Sequence, residues 1–341
     1  MKKSLWEPKI EEIKESSMTR FSEKICQKYD LKDAEYSTLH KWSVENPQFF
    51  WKEVWNDCNV RFSKDYEILS TYNSIRINRK DYVQFSFNSF ESNFLEILGE
   101  FRPDCVINTA GLVSVDGCEK DDLKAMQLNS FFLKRLIHDL NILKLNKTHL
   151  IQLSTPGVYG NSSTGQPWKE TDSTNPISVY AETKLLSEFI VEDYQGPFTI
   201  IRSDFYGINP YSEKSLLWWI IKNAKEGIEM NGWQNIYFNP ISARKLARAI
   251  RNIFEQAVFG TFNIGCSNSC NKYDFVENSC KFLNLKAKVK KVDLVNDKIR
   301  PNYSITDCSK FFNKTGYNFS WEEDLVEYMT NLPEFPLKLT N

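Results

Sequence analysis

A doubly wound α/β fold built on a parallel sheet is the class this sequence predicts, and three observations predict it. Continuous apolar runs such as Cys105-Val106-Ile107-Asn108 read as strands buried on both faces. From residue 75 onward such runs alternate with longer amphipathic stretches, the pattern of strands crossing over through helices. The chain has 341 residues, 41% hydrophobic and 26% charged, which is ample for a core and suggests about two domains.

The elements follow in order. Residues 4–72 differ from the rest: they read as short helices with exposed charge and with Trp6, Trp42, Trp51 and Trp55. A helix is expected over 10–29. Asn46 can cap a further helix, and Pro47 suits its first position. An aromatic stripe through Trp42, Phe50, Trp51 and Trp55 makes 1–72 a helical N-terminal appendage. A second domain, 73–341, then carries strands expected at 74–78, 105–108, 149–154 and 198–202, with helices at 90–101, 122–143 and 179–194. Beyond Tyr206 the spacing is irregular, with helices expected at 216–227 and 244–255 and a strand at 261–265. This reads as a smaller substrate lobe, mainly 206–330, partly interleaved with the sheet.

Charge and composition exclude several classes. A formal net charge of -1 implies no nucleic-acid and no membrane partner. No apolar run reaches the roughly 18 residues of a transmembrane helix, and the start lacks the apolar core of a signal peptide. Cys266 and Cys270 are close, but the only histidines are His40, His138 and His149, and no second cysteine pair completes a metal site. Reduced thiols, no metal and a cytoplasmic location are the expectation.

The chemistry is carried by Tyr180-Ala181-Glu182-Thr183-Lys184 together with Ser154-Thr155. Residues four apart share a helix face, so Tyr180 and Lys184 stack one turn from each other. An ammonium there lowers the cost of a phenolate, letting Tyr180 pass a proton. Thr155, closing an apolar strand, can hold the same carbonyl or alcohol oxygen. Taken alone, a Tyr-x-x-x-Lys is also an ordinary exposed helix pair.

The order of the surrounding motifs resembles the extended short-chain dehydrogenase/reductase superfamily, and within it the dTDP-4-dehydrorhamnose reductases. The likeness runs through Arg102-Pro103-Asp104 to Asn108-Thr109-Ala110-Gly111, Val115-Asp116-Gly117-Cys118-Glu119 and Leu128-Asn129. It continues through Leu153 to Gly160, Asn175-Pro176, Tyr180 with Lys184, Arg202 to Gly207, Phe238 to Ser242, and Arg300-Pro301. The resemblance implies a Rossmann-like fold, NADP or NAD as cofactor, and a nucleotide-sugar substrate reduced at C4. It gives Tyr180 as proton donor, Thr155 as holder of the reacting oxygen, and Lys184 as partner of the nicotinamide ribose. It puts Asn108, Ala110 and Gly111 under the cofactor. It puts Val115, Asp116, Arg202 and Arg300 on the substrate side, with a packing ion pair equally open for Arg202.

Two departures matter. Pro156-Gly157 stands where rhamnose-forming reductases have Asp-Tyr, and is closer to epimerase-like branches. More seriously, the superfamily opens with a strand, a G-x-x-G-x-x-G turn and a helix whose N-terminus receives pyrophosphate. Residues 1–100 hold a single glycine, Gly99, so this first strand, turn and helix are missing. In their place, Leu5-Trp6-Glu7-Pro8, Ser17 to Phe21, Trp42 to Glu45 and Phe50 to Trp55 resemble the N-terminal lead-in of acetoacetyl-CoA and related acyl-CoA synthetases. Losing two or three charge-assisted bonds at about 1.5–3 kcal/mol each weakens dinucleotide binding by roughly two to six powers of ten. A sheet edge would also need cover, for which 66–69 is a substitute strand. Arg79 and Lys80 hint at a 2′-phosphate.

Three readings stay open at this point: a reductase of a nucleotide-linked 4-keto sugar, a non-catalytic binding or regulatory protein on the same scaffold, or a rearranged product with no stable function. A homo-oligomer or partner chain could supply the missing unit.

Overall fold

The computed structural model describes residues 17–46, 69–72, 83–86, 94–162, 164–208, 215–295 and 297–330. The chain divides into two compact units, 1–88 and 89–341.

In the first unit, α1 (Ser17–Tyr29) and α2 (Tyr36–Glu45) bury a small cluster of Phe21, Ile25, Leu39 and Trp42. Phe21 and Ile25 are one turn apart, as are Leu39 and Trp42, so each pair shares a helix face. The Tyr29 ring lies 4.7 Å from that of Trp42. Trp42 is therefore core, while Phe50, Trp51 and Trp55 lie outside the described residues. Asn46 ends α2: its backbone N–H donates to the Trp42 carbonyl at 2.8 Å and its Nδ2 at 3.2 Å. The helix expected to start after it lies outside the described residues. Strands β1 (Leu69–Tyr72) and β2 (Val83–Ser86) pair in parallel, Leu69 opposite Val83. Only Leu69 of the expected substitute strand falls in this pair, and the strand expected at 74–78 lies outside the described residues.

The second unit follows the alternation read from sequence. Its first half runs α3 (Phe94–Phe101), β3 (Cys105–Asn108), α4 (Val115–Lys120), α5 (Asp122–Met126), α6 (Phe132–Ile142), β4 (His149–Ser154), α7 (Val179–Val191) and β5 (Phe198–Arg202). Next come β6 (Phe205–Tyr206), α8 (Leu216–Glu226), β7 (Met230–Trp233), β8 (Tyr237–Phe238), β9 (Ile241–Ser242), α9 (Ala243–Glu255) and β10 (Gly260–Asn263). The chain continues through β11 (Cys270–Asn271), α10 (Lys272–Phe282), β12 (Val289–Val292), β13 (Tyr303–Ser304), α11 (Ser309–Thr315) and α12 (Trp321–Thr330).

The main sheet has the order β10-β5-β4-β3, with every neighbouring pair parallel. This is the Rossmann-like α/β arrangement. Leu150, Ile151 and Ile201 are fully enclosed, as both-face burial requires. The later strands make small sheets, β11-β8-β13, β12-β7 and β6-β9, while β10 returns to the main sheet. The second lobe is thus interleaved with the first.

Register positions the site. Ser154 stands opposite Arg202, Arg202 opposite Asn263, and Asn108 opposite Gln152. The residues that follow these strands therefore gather at the carboxyl edge of the sheet, where open α/β folds bind ligands. Among the described residues β3 is the outer strand on its side. The helix expected at 122–143 is interrupted by a π turn over Gln127–Phe131. Asn129 and Ser130 inside it are buried and bonded elsewhere, the usual setting of such a turn.

Candidate active site

Thr155 follows β4 and caps a short 3₁₀ turn, Pro156–Tyr159, its Oγ1 accepting the Gly157 N–H at 3.1 Å. A Cβ built on Gly157 would lie 3.4 Å from the Cβ of Ala181 and from Thr155 Oγ1, so the turn rests on the first turn of α7. Gly160 ends it at φ +76°, and a Cβ there would stand 2.1 Å from the Asn175 carbonyl oxygen. Only glycine fits. Helix α7 begins at Ser178, whose Oγ accepts the Ala181 N–H at 3.2 Å, and the Val179 N–H donates to Glu119 of α4 at 2.7 Å. The sequence Thr-Pro-Gly and the Ser178 cap thereby bring Thr155 beside the start of the Tyr180 helix.

Tyr180 and Lys184 lie one turn apart on α7. Burial pushes the Tyr180 phenol above the ordinary tyrosine range, and the Asp204 carboxylate and Cys118 push in the same direction. The expectation that Lys184 holds the phenol low is corrected here: the shift runs upward, with burial as its main cause. Burial also lowers Lys184, to about 8, against an opposing pull from Glu188. Neither the Tyr180 hydroxyl nor the Lys184 ammonium makes a hydrogen bond or ion pair with a described residue.

The opposite holds one turn further along α7. Glu188 accepts from Ser154 Oγ and is gripped by Arg202, whose Nη2 donates to Oε2 at 2.6 Å and whose Nε donates to Oε1 at 3.0 Å. Arg202 Nη1 donates to the Tyr159 hydroxyl at 2.8 Å, and that hydroxyl donates to Asn263 Oδ1 at 2.9 Å. The Tyr159 ring stacks on Trp168 at 5.2 Å. Arg202 is 7% exposed. Its guanidinium is committed to the core, so the substrate role expected for it gives way to the packing ion pair.

On the expected cofactor wall, Asn108 uses its side chain locally. Its Nδ2 donates to Gln152 Oε1 at 2.7 Å and its Oδ1 accepts the Ala110 N–H at 3.1 Å. Ala110 and Gly111 are exposed. Behind them, Asn129 Oδ1 accepts the Leu112 N–H at 2.6 Å, and its Nδ2 donates to Thr183 Oγ1 at 2.9 Å. The π turn thus ties this wall to α7. Val115 opens α4 and is partly buried. Asp116, beside it, pairs with Arg300 Nη2, while Arg300 Nη1 donates to Asp297 at 2.8 Å. The structure therefore joins two of the expected substrate residues, Asp116 and Arg300, across 184 positions of sequence.

Sequence reasoning passed over Glu188, Asp204 and Lys272. Asp204 could have been found from its position just past a parallel strand; Lys272 opens a helix in an irregular stretch and carries no comparable signal. Among the described residues no group of three or more His, Cys, Asp or Glu could hold a metal ion, and no helix is long and apolar enough to cross a membrane.

Residues 84–333 match the family described as RmlD substrate binding domain. Bacillus subtilis spore coat polysaccharide biosynthesis protein SpsK is 26% identical over 235 residues, covering 68% of this chain and 80% of that relative. A dTDP-4-dehydrorhamnose reductase from Clostridium acetobutylicum shares the fold at a TM-score of 0.67 and 24% identity, covering 78% of this chain and 99% of that one. The dTDP-4-dehydrorhamnose reductase of Bacillus anthracis, solved with NADP, shares it at 0.66 and 21%, covering 75% and 92%. A 54-residue stretch, 16% of this chain and 8% of the relative, is 35% identical to malonamoyl-CoA synthetase vrtB of Penicillium aethiopicum. By the match over 84–333, the chain belongs to the RmlD substrate binding domain family.

Proposed function

We propose that this chain is an NAD(P)-dependent reductase of a nucleotide-linked 4-keto sugar. The observation that carries the reading is the pair of polar end groups on α7, Tyr180 and Lys184, which make no hydrogen bond or ion pair among the described residues and lie on the helix that starts beside Thr155. When bound, a nicotinamide cofactor supplies the hydride. Thr155 Oγ1 already accepts from Gly157, so its own proton is free to donate to the substrate oxygen. Tyr180 is held in the protonated state, which suits a donor to the alkoxide developing at C4. The Lys184 ammonium then steadies the phenolate and meets the ribose hydroxyls.

The chain's residues fit the nicotinamide end of the cofactor better than its phosphate end. Lys184 has no hydrogen-bond or ion-pair partner among the described residues, and Ala110 and Gly111 are exposed at the end of β3. Yet Gly99, the one glycine of the first hundred residues, lies inside α3 and opens no phosphate turn. Dinucleotide affinity should be at least about a hundredfold below that of a relative with the turn. That same feature favours a second reading, a non-catalytic sugar-nucleotide-binding or regulatory protein. A partner chain or second copy supplying the missing unit would restore turnover. The N-terminal segment is read as a packing appendage of synthetase-like origin, without synthetase chemistry.

Fluorescence titration of the purified chain with NADPH and NADH tests the reading. Weak binding by one or both, with slow reduction of a 4-keto sugar nucleotide, is expected. No dinucleotide binding at millimolar concentration would favour the regulatory alternative. Micromolar binding would overturn the inference drawn from the missing turn.

A further inference from the structure

Two charged side chains that the chemistry above leaves unused belong to the same sheet edge. Asp204 stands two residues past Arg202, whose register partner is Ser154, next to Thr155. Its backbone is fixed, since its carbonyl accepts the Ile241 N–H at 3.1 Å. Lys272 opens α10, its N–H donating to the Ile236 carbonyl at 3.0 Å. Its ammonium sits 3.3 Å over the centre of the Phe238 ring. The Asp204 carboxylate acts electrostatically on both the Tyr180 phenol and the Lys272 ammonium.

Neither charged end makes a hydrogen bond or an ion pair with any described residue. Each is embedded, which pushes the Asp204 carboxyl up and the Lys272 ammonium down. Embedded charges without hydrogen-bonded partners are destabilising even where, as for Lys272 over the Phe238 ring, a π face offsets part of the cost, and folds retain such cost where a ligand completes the bonding. Glu188 and Arg202, close by in the same unit, show what a purely structural pair looks like: in direct contact and hydrogen-bonded throughout.

We propose that Asp204 and Lys272 are a substrate-orienting pair, the carboxylate accepting from and the ammonium donating to neighbouring hydroxyls of the hexose whose carbonyl faces Tyr180. The inference rests on the reductase reading of this site and extends it to the sugar recognised. A vicinal diol satisfies both groups at once, one hydroxyl donating to Asp204 and the next accepting from Lys272. A sugar deoxygenated there leaves both charges unpaired, and sites built to bond a hydroxyl discriminate strongly against its absence. The pair therefore selects a hydroxylated hexose.

The test is calorimetric titration of the full chain and of its Asp204→Asn and Lys272→Met variants with dTDP and with dTDP-glucose, alongside thermal melting. The unaltered chain should bind dTDP-glucose at least about tenfold more tightly than dTDP. Each variant should lose most of that ratio while its dTDP affinity stays within about twofold. Melting temperatures should hold or rise, because an embedded charge has been removed. An unchanged ratio in both variants overturns the pair and leaves the reductase reading standing. So does an equal loss for both ligands with lowered melting, which marks a structural role. Failure of every version, the unaltered chain included, to bind either ligand overturns the reductase reading and the pair together.

Discussion

Helix α7 faces two regions that differ in one respect. Around Glu188, polar atoms are matched: Ser154, Arg202, Tyr159 and Asn263 form a buried chain of bonds. Around Tyr180, the polar ends of Tyr180, Lys184, Asp204 and Lys272 have no bonded protein partner among the described residues. Both regions hold buried or embedded charge; only one is satisfied from within. Satisfied networks specify a core, whereas unsatisfied groups are where chemistry is performed. A single helix thus separates scaffold from site by hydrogen-bond completeness, one turn apart.

The largest test of that contrast is Tyr180→Phe. It should lower turnover of a 4-keto sugar nucleotide by about 10²–10⁴-fold, with folding and nucleotide binding unchanged by circular dichroism and titration. Retention of turnover would remove Tyr180 from the chemistry. Next, Arg202→Ala leaves Glu188 buried with only the Ser154 hydroxyl donating to it and no counter-charge in contact, and should destabilise the fold by about 3–5 kcal/mol in urea melts. Replacing both partners together, Arg202→Met with Glu188→Leu, should recover much of that loss.

Lys184→Met should act in the opposite sense. The folded value of Lys184, about 8, lies below the 10.5 of a free lysine, so the unfolded chain binds the extra proton between those two pH values. Stability therefore rises with pH through that window, and below it the buried charge is costly throughout. The substitution should stabilise the chain at pH 7 by about 3 kcal/mol while weakening dinucleotide binding. A stability loss would mean that Lys184 has a structural partner. Gly160→Ala, at positive φ and against the Asn175 carbonyl, should cost about 3 kcal/mol through strain alone. The smallest effect is expected for Asp116→Asn: its pair with Arg300 is 61% exposed on the Asp side, so stability should change by less than about 1 kcal/mol.

Much of this was legible in the residues. The strands 149–154 and 198–202 were readable because parallel strands enclosed on both faces leave continuous apolar runs; 105–108 was read the same way, yet as the outer described strand it leaves Ile107 exposed. That Tyr180 and Lys184 share a helix face was readable because residues four apart do so, and Thr155 was readable as the residue that closes β4. The fate of Arg202 was not: a strand-end arginine looks the same whether it meets a ligand or a glutamate four residues past a lysine. Asp204 and Lys272 were invisible as a pair, since 68 positions separate them and only β6–β9 pairing and the start of α10 bring their neighbourhoods together. The division of the chain after residue 88 was not legible, since the parallel pairing of β1 with β2 is a contact that no local pattern announces.

The π turn over Gln127–Phe131 has a consequence for how this chain can change length. A π turn holds one residue more than an α turn, and each α-helical residue advances the chain by about 100°. Deleting one residue within it would heal the helix into regular α geometry, and because the wider turn alone takes up the extra residue, the flanks on either side would keep nearly the same facing. Asn129 would swing away from Leu112 and Thr183, and Ser130 from the Thr183 carbonyl. Single-residue deletion within this segment should therefore cost only those bonds, whereas deletion within α6 turns one flank against the other by about 100° and should be far less tolerated. The turn is thus the place where this helix can lose a residue and keep its faces, at the expense of the tie to α7.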